Sequence, residues 1–131
     1  MGTQRYFSAD YAEARDKFRA ACTLAGVATK AYENPTPGPG GTTLTIDLAL
    51  FGPADASNLL ILTSGVHGIE GLAGCGCQTA WIAEGHYRDI PQDVAVLIVH
   101  AVNCYGVAHV QYTNEGNVDL NQNFLDFDQP L

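Results

Sequence analysis

The sequence is poor in basic residues. It has six Lys and Arg against fourteen Asp and Glu, a formal net charge of −8, and no Lys or Arg after Arg88. Such an acidic chain repels the phosphates of nucleic acids and anionic lipids, so we expect neither nucleic acid nor a membrane surface among its partners. The acidic residues after Arg88 form either a solvated face or a surrounding that favours a cation. They are Asp89, Asp93, Glu115, Asp119, Asp126 and Asp128.

Long apolar segments are also missing. No stretch approaches the ~20 consecutive apolar residues that a membrane-spanning helix needs. Residues 1–7 lack the apolar core of a secretion signal, and we therefore expect a cytoplasmic protein. The chain has no Cys-x-x-Cys pair, which argues against a structural zinc knuckle, and reduced packing thiols are expected instead of disulfides. The cysteines are Cys22, Cys75, Cys77 and Cys104.

The hydrophobic pattern begins with a helix and a two-stranded ribbon. Apolar residues at helical spacing follow Ser8, the predicted N-cap, and stop at Gly26, the predicted C-cap. Strict alternation over residues 43–50 predicts a half-buried strand. An extended stretch at 27–32 precedes it across a Pro/Gly-rich loop at 34–41, which suits an antiparallel hairpin.

The second half of the pattern predicts a βαβ unit. Continuous apolar runs at 59–63 and 93–99 are typical of buried parallel strands, and residues 70–85 between them read as a helix rich in small residues. The expected fold class is α/β, a three-layer arrangement of a mixed sheet with helices on both faces. At 131 residues the chain suffices for a single domain with a hydrophobic core.

A polar turn follows the first of the two buried strands. The chain there reads His67-Gly68-Ile69-Glu70. A histidine and a glutamate three residues apart at a helix start can point into one crevice, and their nitrogen and oxygen atoms suit zinc. Ligands of such sheets bind beyond the carboxyl ends of the parallel strands. We predict a metal site at His67 and Glu70, and the alternative is a polar turn without a ligand.

The other histidines and one cysteine are interpreted as structural. His100 follows the second parallel strand and is expected to support the site or to be a satisfied buried histidine. His86 and His109 are expected at the surface or in packing contacts. Cys104 lies near the predicted crevice, but no histidine at a defined spacing supports a nucleophile there.

Two further segments carry a resemblance to a known family. Asn103 and Gly106 form an Asn-x-x-Gly turn, and residues 117–124 read Asn-Val-Asp-Leu-Asn-Gln-Asn-Phe. With residues 64–71, these segments resemble the zinc carboxypeptidase superfamily over essentially the whole chain. The likeness is greatest to an uncharacterised bacterial carboxypeptidase-like branch related to succinylglutamate desuccinylase and aspartoacylase.

The resemblance implies roles for four residues. His67 and Glu70 would be two zinc ligands, and Asn121 would match the asparagine of an Asn-Arg pair that holds the substrate carboxylate. The arginine of that pair is Gln122 here, and the family's oxyanion arginine has no counterpart in residues 107–113. The third zinc ligand and the general base would lie beyond Leu131. The resemblance thus implies one incomplete domain over 1–131, with no catalytic residue of its own.

Two functions remain open for such a chain. The first is a zinc-dependent metallohydrolase of the carboxypeptidase type, which would cleave the amide or peptide bond of a small peptide or acyl-amino acid and would be impaired in this chain alone. The alternative is a catalytically inactive half-domain that acts as a binding or interaction module. An incomplete sheet would expose an edge and apolar strands such as 94–99, so we also expect a homo-oligomer formed through that edge.

Overall fold

A mixed β-sheet forms the centre of residues 2–123, the part of the chain that the computed structural model describes. Its strands are β1 (Thr29–Glu33), β2 (Thr45–Phe51), β3 (Asn58–Thr63) and β4 (Val94–His100), in the order β1-β2-β4-β3. β1 and β4 run antiparallel to β2, and β3 runs parallel to β4. The helices are α1 (Tyr11–Leu24), α2 (Gly68–Ala83) and α3 (Cys104–His109). The predicted α/β class, the mixed sheet, the hairpin and the βαβ unit are confirmed.

One face of the sheet carries the hydrophobic core. Ala49 pairs with Ile98 and Phe51 pairs with Val96, so these four side chains share a face. Residues of α1 and α2 cover this face, with Phe18 among them. A second apolar cluster joins α3 to the first turns of α1 and to α2. Burial of these side chains explains why the helices pack here, since each fully buried large apolar side chain contributes about 1.5–3 kcal/mol.

The opposite face, which we call the open face, carries apolar residues that stay accessible in the described part of the chain. Leu50, Leu97 and Ile61 lie side by side across β2, β4 and β3. Leu59 and Ile61 are 57% and 53% exposed. Residues 94–99, expected to be exposed, instead form the interior strand β4. Among the described strands the edges are β1 and β3, since each pairs with a single neighbour, and β3 is the apolar one of the two.

The predicted helix start was wrong by two residues. Asp10, and not Ser8, is the N-cap of α1, and its carboxylate accepts a hydrogen bond of 2.9 Å from the Glu13 backbone N–H. At the other end Ala25 is the C-cap, and Gly26 follows it at φ +74°, a left-handed conformation that costs glycine little. The sequence pattern missed α3, a helix too short to show periodicity.

Candidate functional site

The ends of β3 and β4 lead into two loops that pack against each other. The backbone N–H groups of Val102 and Asn103 donate to the carbonyls of Ser64 and Gly65, at 2.9 and 2.8 Å. Gly65 has φ +66°, and a Cβ there would lie 3.1 Å from the Cα of Ala101. The close approach therefore requires glycine, and it fixes the path of the chain toward position 67.

His67 lies at the end of this path, where its imidazole is held between two carboxylates. It is the N-cap residue of α2, with extended backbone, and Glu70 lies in the first turn of that helix. Its Nδ1 is 3.0 Å from Oε1 of Glu70, and its Nε2 is 3.0 Å from Oδ1 of Asp119. The structure thus brings His67 and Glu70 together and adds Asp119, which the sequence analysis placed only among the acidic residues that could favour a cation.

These contacts change the acid–base behaviour of the pair. The hydrogen bond from Asp119 raises the pKa of His67 above its ordinary value, and Glu70 adds to the increase. Desolvation alone would raise the pKa of Asp119, but hydrogen bonds from the Asn121 backbone and from His67 together lower it. Asp119 is therefore held as a carboxylate, which can accept a hydrogen bond from the imidazole.

The geometry of His67 and Glu70 fits a metal ion between them. Nitrogen and oxygen ligands of a tetrahedral zinc, each at about 2.0–2.1 Å, are about 3.4 Å apart. The observed 3.0 Å between Nδ1 and Oε1 needs only a small outward movement of the exposed Glu70. Among residues 2–123 no group of three or more His, Cys, Asp or Glu side chains converges on one ion. Asp119 does not complete such a group because it bonds the other ring nitrogen.

Glycines at the start of α2 allow a second segment to approach the site. The Gly68 N–H donates to the carbonyl of Gln111 at 3.0 Å, and a Cβ on Gly68 would overlap the Gly106 carbonyl. A Cβ on Gly71 would lie 2.6 Å from a methyl of Val107. Residues 106–112 consequently run over the first turn of α2, next to His67.

Tyr112, in this segment, is a site residue that the sequence did not reveal. Its ring stacks on the imidazole of His67, with centroids 3.8 Å apart and planes inclined by 17°. The sequence analysis considered residues 107–113 only for an oxyanion arginine, which they lack, and assigned no role to their tyrosine. Nothing in the pattern of a single chain connects positions 67 and 112.

The predicted substrate residues, Asn121 and Gln122, lie two and three positions after Asp119. The Asn121 N–H donates to Oδ1 of Asp119 at 2.8 Å, and the Gln122 N–H donates to the Asp119 carbonyl at 3.3 Å. Both residues are exposed. The turn thus places them near His67, because the same Asp119 carboxylate bonds the imidazole. Their contact with a substrate stays a prediction. Phe124, the last residue of the motif, lies outside the described residues.

His100 takes no part in the site and is buried, as predicted. Its Nδ1 lies 3.0 Å from Oε1 of Gln78, its ring stacks on Phe18, and its Nε2 has no hydrogen-bond partner within residues 2–123. Burial lowers its pKa to about 4. Gln78 also accepts a hydrogen bond of 2.7 Å from the Ser64 hydroxyl, so this network ties the two loops to α2. His86 and His109 are exposed, and the four cysteines are free thiols.

Residues 7–131 match a family model described as a protein of unknown function, DUF2817. A Zn-dependent exopeptidase from Parabacteroides distasonis ATCC 8503 has a similar structure, with TM-score 0.53 and 13% identity over 86% of this chain and 46% of that chain. A Fimbriiglobus ruber glutaminyl cyclase is similar with TM-score 0.51 and 15% identity, over 68% of this chain and 36% of that one.

The comparisons establish the fold, and the chain spans less than half the length of either structure. The sheet and helices are those of a zinc-peptidase-like fold. No curated protein matches the chain. Within the described residues, no helix is long and apolar enough to cross a membrane.

Proposed function

The chain belongs to the DUF2817 family, and from the geometry at His67 we propose that it is a zinc-dependent hydrolase of amide or peptide bonds. One observation carries the proposal. A single imidazole, at the carboxyl end of a parallel strand, directs Nδ1 toward Glu70 and Nε2 toward Asp119, each at 3.0 Å. A metal-binding histidine typically binds the ion through one nitrogen while a carboxylate accepts the N–H of the other.

His67, Glu70 and Asp119 have distinct roles in this proposal. Asp119 accepts the Nε2–H of His67, which leaves the Nδ1 lone pair free to bind zinc beside the Glu70 carboxylate. A bound zinc ion would act as a Lewis acid on a scissile carbonyl and lower the pKa of a coordinated water. A catalytic zinc takes three protein ligands, so the proposal requires a third ligand and a general base from outside residues 2–123.

The finer assignment follows the resemblance and concerns the substrate. We infer a carboxypeptidase-type enzyme of the branch related to succinylglutamate desuccinylase and aspartoacylase, acting in the cytoplasm on a small peptide or acyl-amino acid. Asn121 would donate one neutral hydrogen bond to the substrate carboxylate. Gln122 would add a second but brings no charge, unlike an arginine that pairs with both carboxylate oxygens. The buried free thiols Cys22, Cys75 and Cys104 support a reducing compartment.

A second candidate function is a binding module without catalysis. Gln122 and the lack of any Lys or Arg after Arg88 favour it, because the proposed substrate would meet no cation in this part of the site. The two functions differ in turnover but share the metal site. Hydrolysis of an acyl-amino acid by the zinc-loaded protein supports the first function, and binding of that compound without turnover supports the second.

Zinc titration of the purified chain by calorimetry tests the proposal. We expect a site that is weak compared with a closed four-ligand site, since residues 2–123 provide two ligands. His67→Ala and Glu70→Gln should each abolish it. His86→Ala removes an exposed histidine beyond the other end of α2 and serves as the matched control. An unchanged affinity in His67→Ala would contradict the proposal.

A further inference from the structure

The imidazole of His67 is held on two edges and one face. Glu70 and Asp119 contact the two ring nitrogens, and Tyr112 covers one face of the ring in a nearly parallel stack. Tyr112 is 41% exposed, so part of the residue stays open to solvent while one ring face contacts the imidazole. The stack on the imidazole is the aromatic contact that the Tyr112 ring makes among the described residues.

The backbone around Tyr112 holds this ring in place. Gln111 accepts from the Gly68 N–H and donates its own N–H to the Gly106 carbonyl, at 3.0 and 2.9 Å. Its side-chain amide donates to the carbonyls of Thr113 and Asn114, at 3.1 and 3.2 Å. The segment is thus tied to the residue directly after His67. Movement of the backbone next to Tyr112 relative to the start of α2 would break these contacts.

We propose that Tyr112 is a positioning residue for His67 and that its ring, not its hydroxyl, strengthens metal binding at Nδ1. The inference rests on the proposed zinc site. The χ2 torsion of histidine is broad, so an imidazole without a covered face can rotate its nitrogens away from a metal. A stacked ring opposes this rotation because turning the imidazole out of plane breaks the aromatic contact. Without the stacked ring, the two carboxylates would hinder this rotation less, since the exposed Glu70 side chain can move with the imidazole.

Two variants separate the ring from the hydroxyl in the full chain. Tyr112→Phe keeps the stack and should bind zinc within about twofold of the unaltered chain. Tyr112→Leu keeps apolar volume but removes the stack, and we expect about three- to tenfold weaker zinc binding, the range that corresponds to one aromatic pair. Tyr32→Leu removes another exposed tyrosine, on β1, and is the matched control. Thermal unfolding checks that all three variants fold.

A second readout needs no zinc. A stacked tyrosine shifts the NMR signals of the His67 ring protons upfield, and this shift should be present in the metal-free chain and in Tyr112→Phe but absent in Tyr112→Leu. Unchanged zinc affinity in Tyr112→Leu would overturn the inference, and so would equal weakening in Tyr112→Phe, which would assign the effect to the hydroxyl. If the unaltered chain binds no zinc, the proposed function fails. An upfield shift in that case shows that Tyr112 still positions His67.

Discussion

Asp47 and His100 lie directly opposite each other on the antiparallel strands β2 and β4, and they are 0% and 1% exposed. Only one of the two has a charged partner. Arg19 donates to both carboxylate oxygens of Asp47, with distances of 2.7 and 2.9 Å. His100 is left as a neutral imidazole because burial disfavours its protonation most and Arg19 adds to this, while the Asp47 carboxylate opposes the decrease in pKa only in part.

The first prediction is a loss of stability in acid that depends on His100. Its folded pKa of about 4 lies below the ordinary value of 6.5, so the unfolded chain takes up this proton first as the pH falls. The contribution of neutral His100 to the free energy of unfolding is complete above pH 6.5 and is lost as the pH falls from 6.5 to about 4. The two pKa values correspond to about 3 kcal/mol of unfolding free energy.

Denaturant unfolding at a series of pH values measures this loss. Carboxylates also titrate in this range, so the comparison is between the unaltered chain and His100→Gln, which does not protonate. His109→Gln, at an exposed position, is the control and should keep the slope of the unaltered chain. An equal slope in His100→Gln would assign the acid sensitivity to other groups.

The second prediction concerns the charge on Arg19. Replacement by Met removes the cation and leaves the Asp47 carboxylate buried without its partner. We expect a loss of about 2–4 kcal/mol, below the upper range for buried pairs because the Arg19 side chain is 36% exposed. Lys17→Met breaks a surface ion pair with Glu13 and a hydrogen bond to the Phe7 carbonyl, and it should cost clearly less because no charge is left buried. Equal effects of the two changes in urea unfolding would refute the special role of the Asp47 pair.

The third prediction is that no side chain is tolerated at Gly68. In Gly68→Ala the new Cβ meets backbone of residues 106 and 111, which cannot move without breaking the contact between α2 and this segment. We expect a loss of more than about 3 kcal/mol, typical of severe overpacking. Gly116→Ala is the matched control, since its nearest neighbour would be at 3.4 Å. A thermal midpoint for Gly68→Ala equal to that of the control would show that the segment can shift.

Hydrophobic periodicity predicted most of the fold because the spacing of apolar residues depends on whether a segment is a helix or a strand. Alternation at 43–50 marked β2, and continuous apolar runs marked β3 and β4, which pair in parallel as expected. The expected burial was right for β4 but wrong for β3, which is largely exposed among the described residues because it lies at the edge of the sheet. The α1 start was missed because Ser8 and Asp10 are both good N-caps. The contact from Asp10 to the Glu13 N–H, which a sequence does not display, decides between them.

The site was harder to predict than the fold because its contacts are distant in sequence. The His67 and Glu70 pair is local, three residues apart at a helix start. Asp119 lies 52 positions from His67, and Tyr112 lies 45 away. The turn before Tyr112 depends on Val110 at φ +53°, a conformation that β-branched residues rarely adopt and that no sequence rule would assign to valine.

The fourth prediction is self-association through β3, with a second copy of the chain as the partner. β3 carries no charged residue, Pro or bulge, the features that normally protect a sheet edge. Antiparallel pairing of β3 with its copy would bring uncharged residues together despite the net charge of −8. Sedimentation at micromolar concentration should show dimers or larger species. Ile61→Lys should reduce them, and Leu24→Lys, on the helix α1, should not. A monomeric unaltered chain would disprove the prediction.

The fifth prediction is that Gln122→Arg improves recognition of a free carboxylate, and it rests on the proposed function. The exposed turn after Asp119 has room for the longer side chain, and a guanidinium can donate two charge-assisted hydrogen bonds where glutamine donates a neutral one. Because position 122 is exposed, we expect a gain of about 1–2 kcal/mol, or about five- to thirtyfold in affinity, for an acyl-amino acid. The amide of the same compound should gain little.

Calorimetry with the zinc-loaded chain compares the acid and the amide in three proteins. Asn123→Arg is the matched control, because it adds the same charge one residue further along an exposed turn. If Gln122→Arg and Asn123→Arg improve binding of the acid equally, the gain comes from the reduced net negative charge and not from a directed contact. If the acid and the amide gain equally in Gln122→Arg, position 122 does not face a substrate carboxylate. A gain confined to the acid and to position 122 would place the carboxylate of the substrate beside the turn that Asp119 anchors to His67.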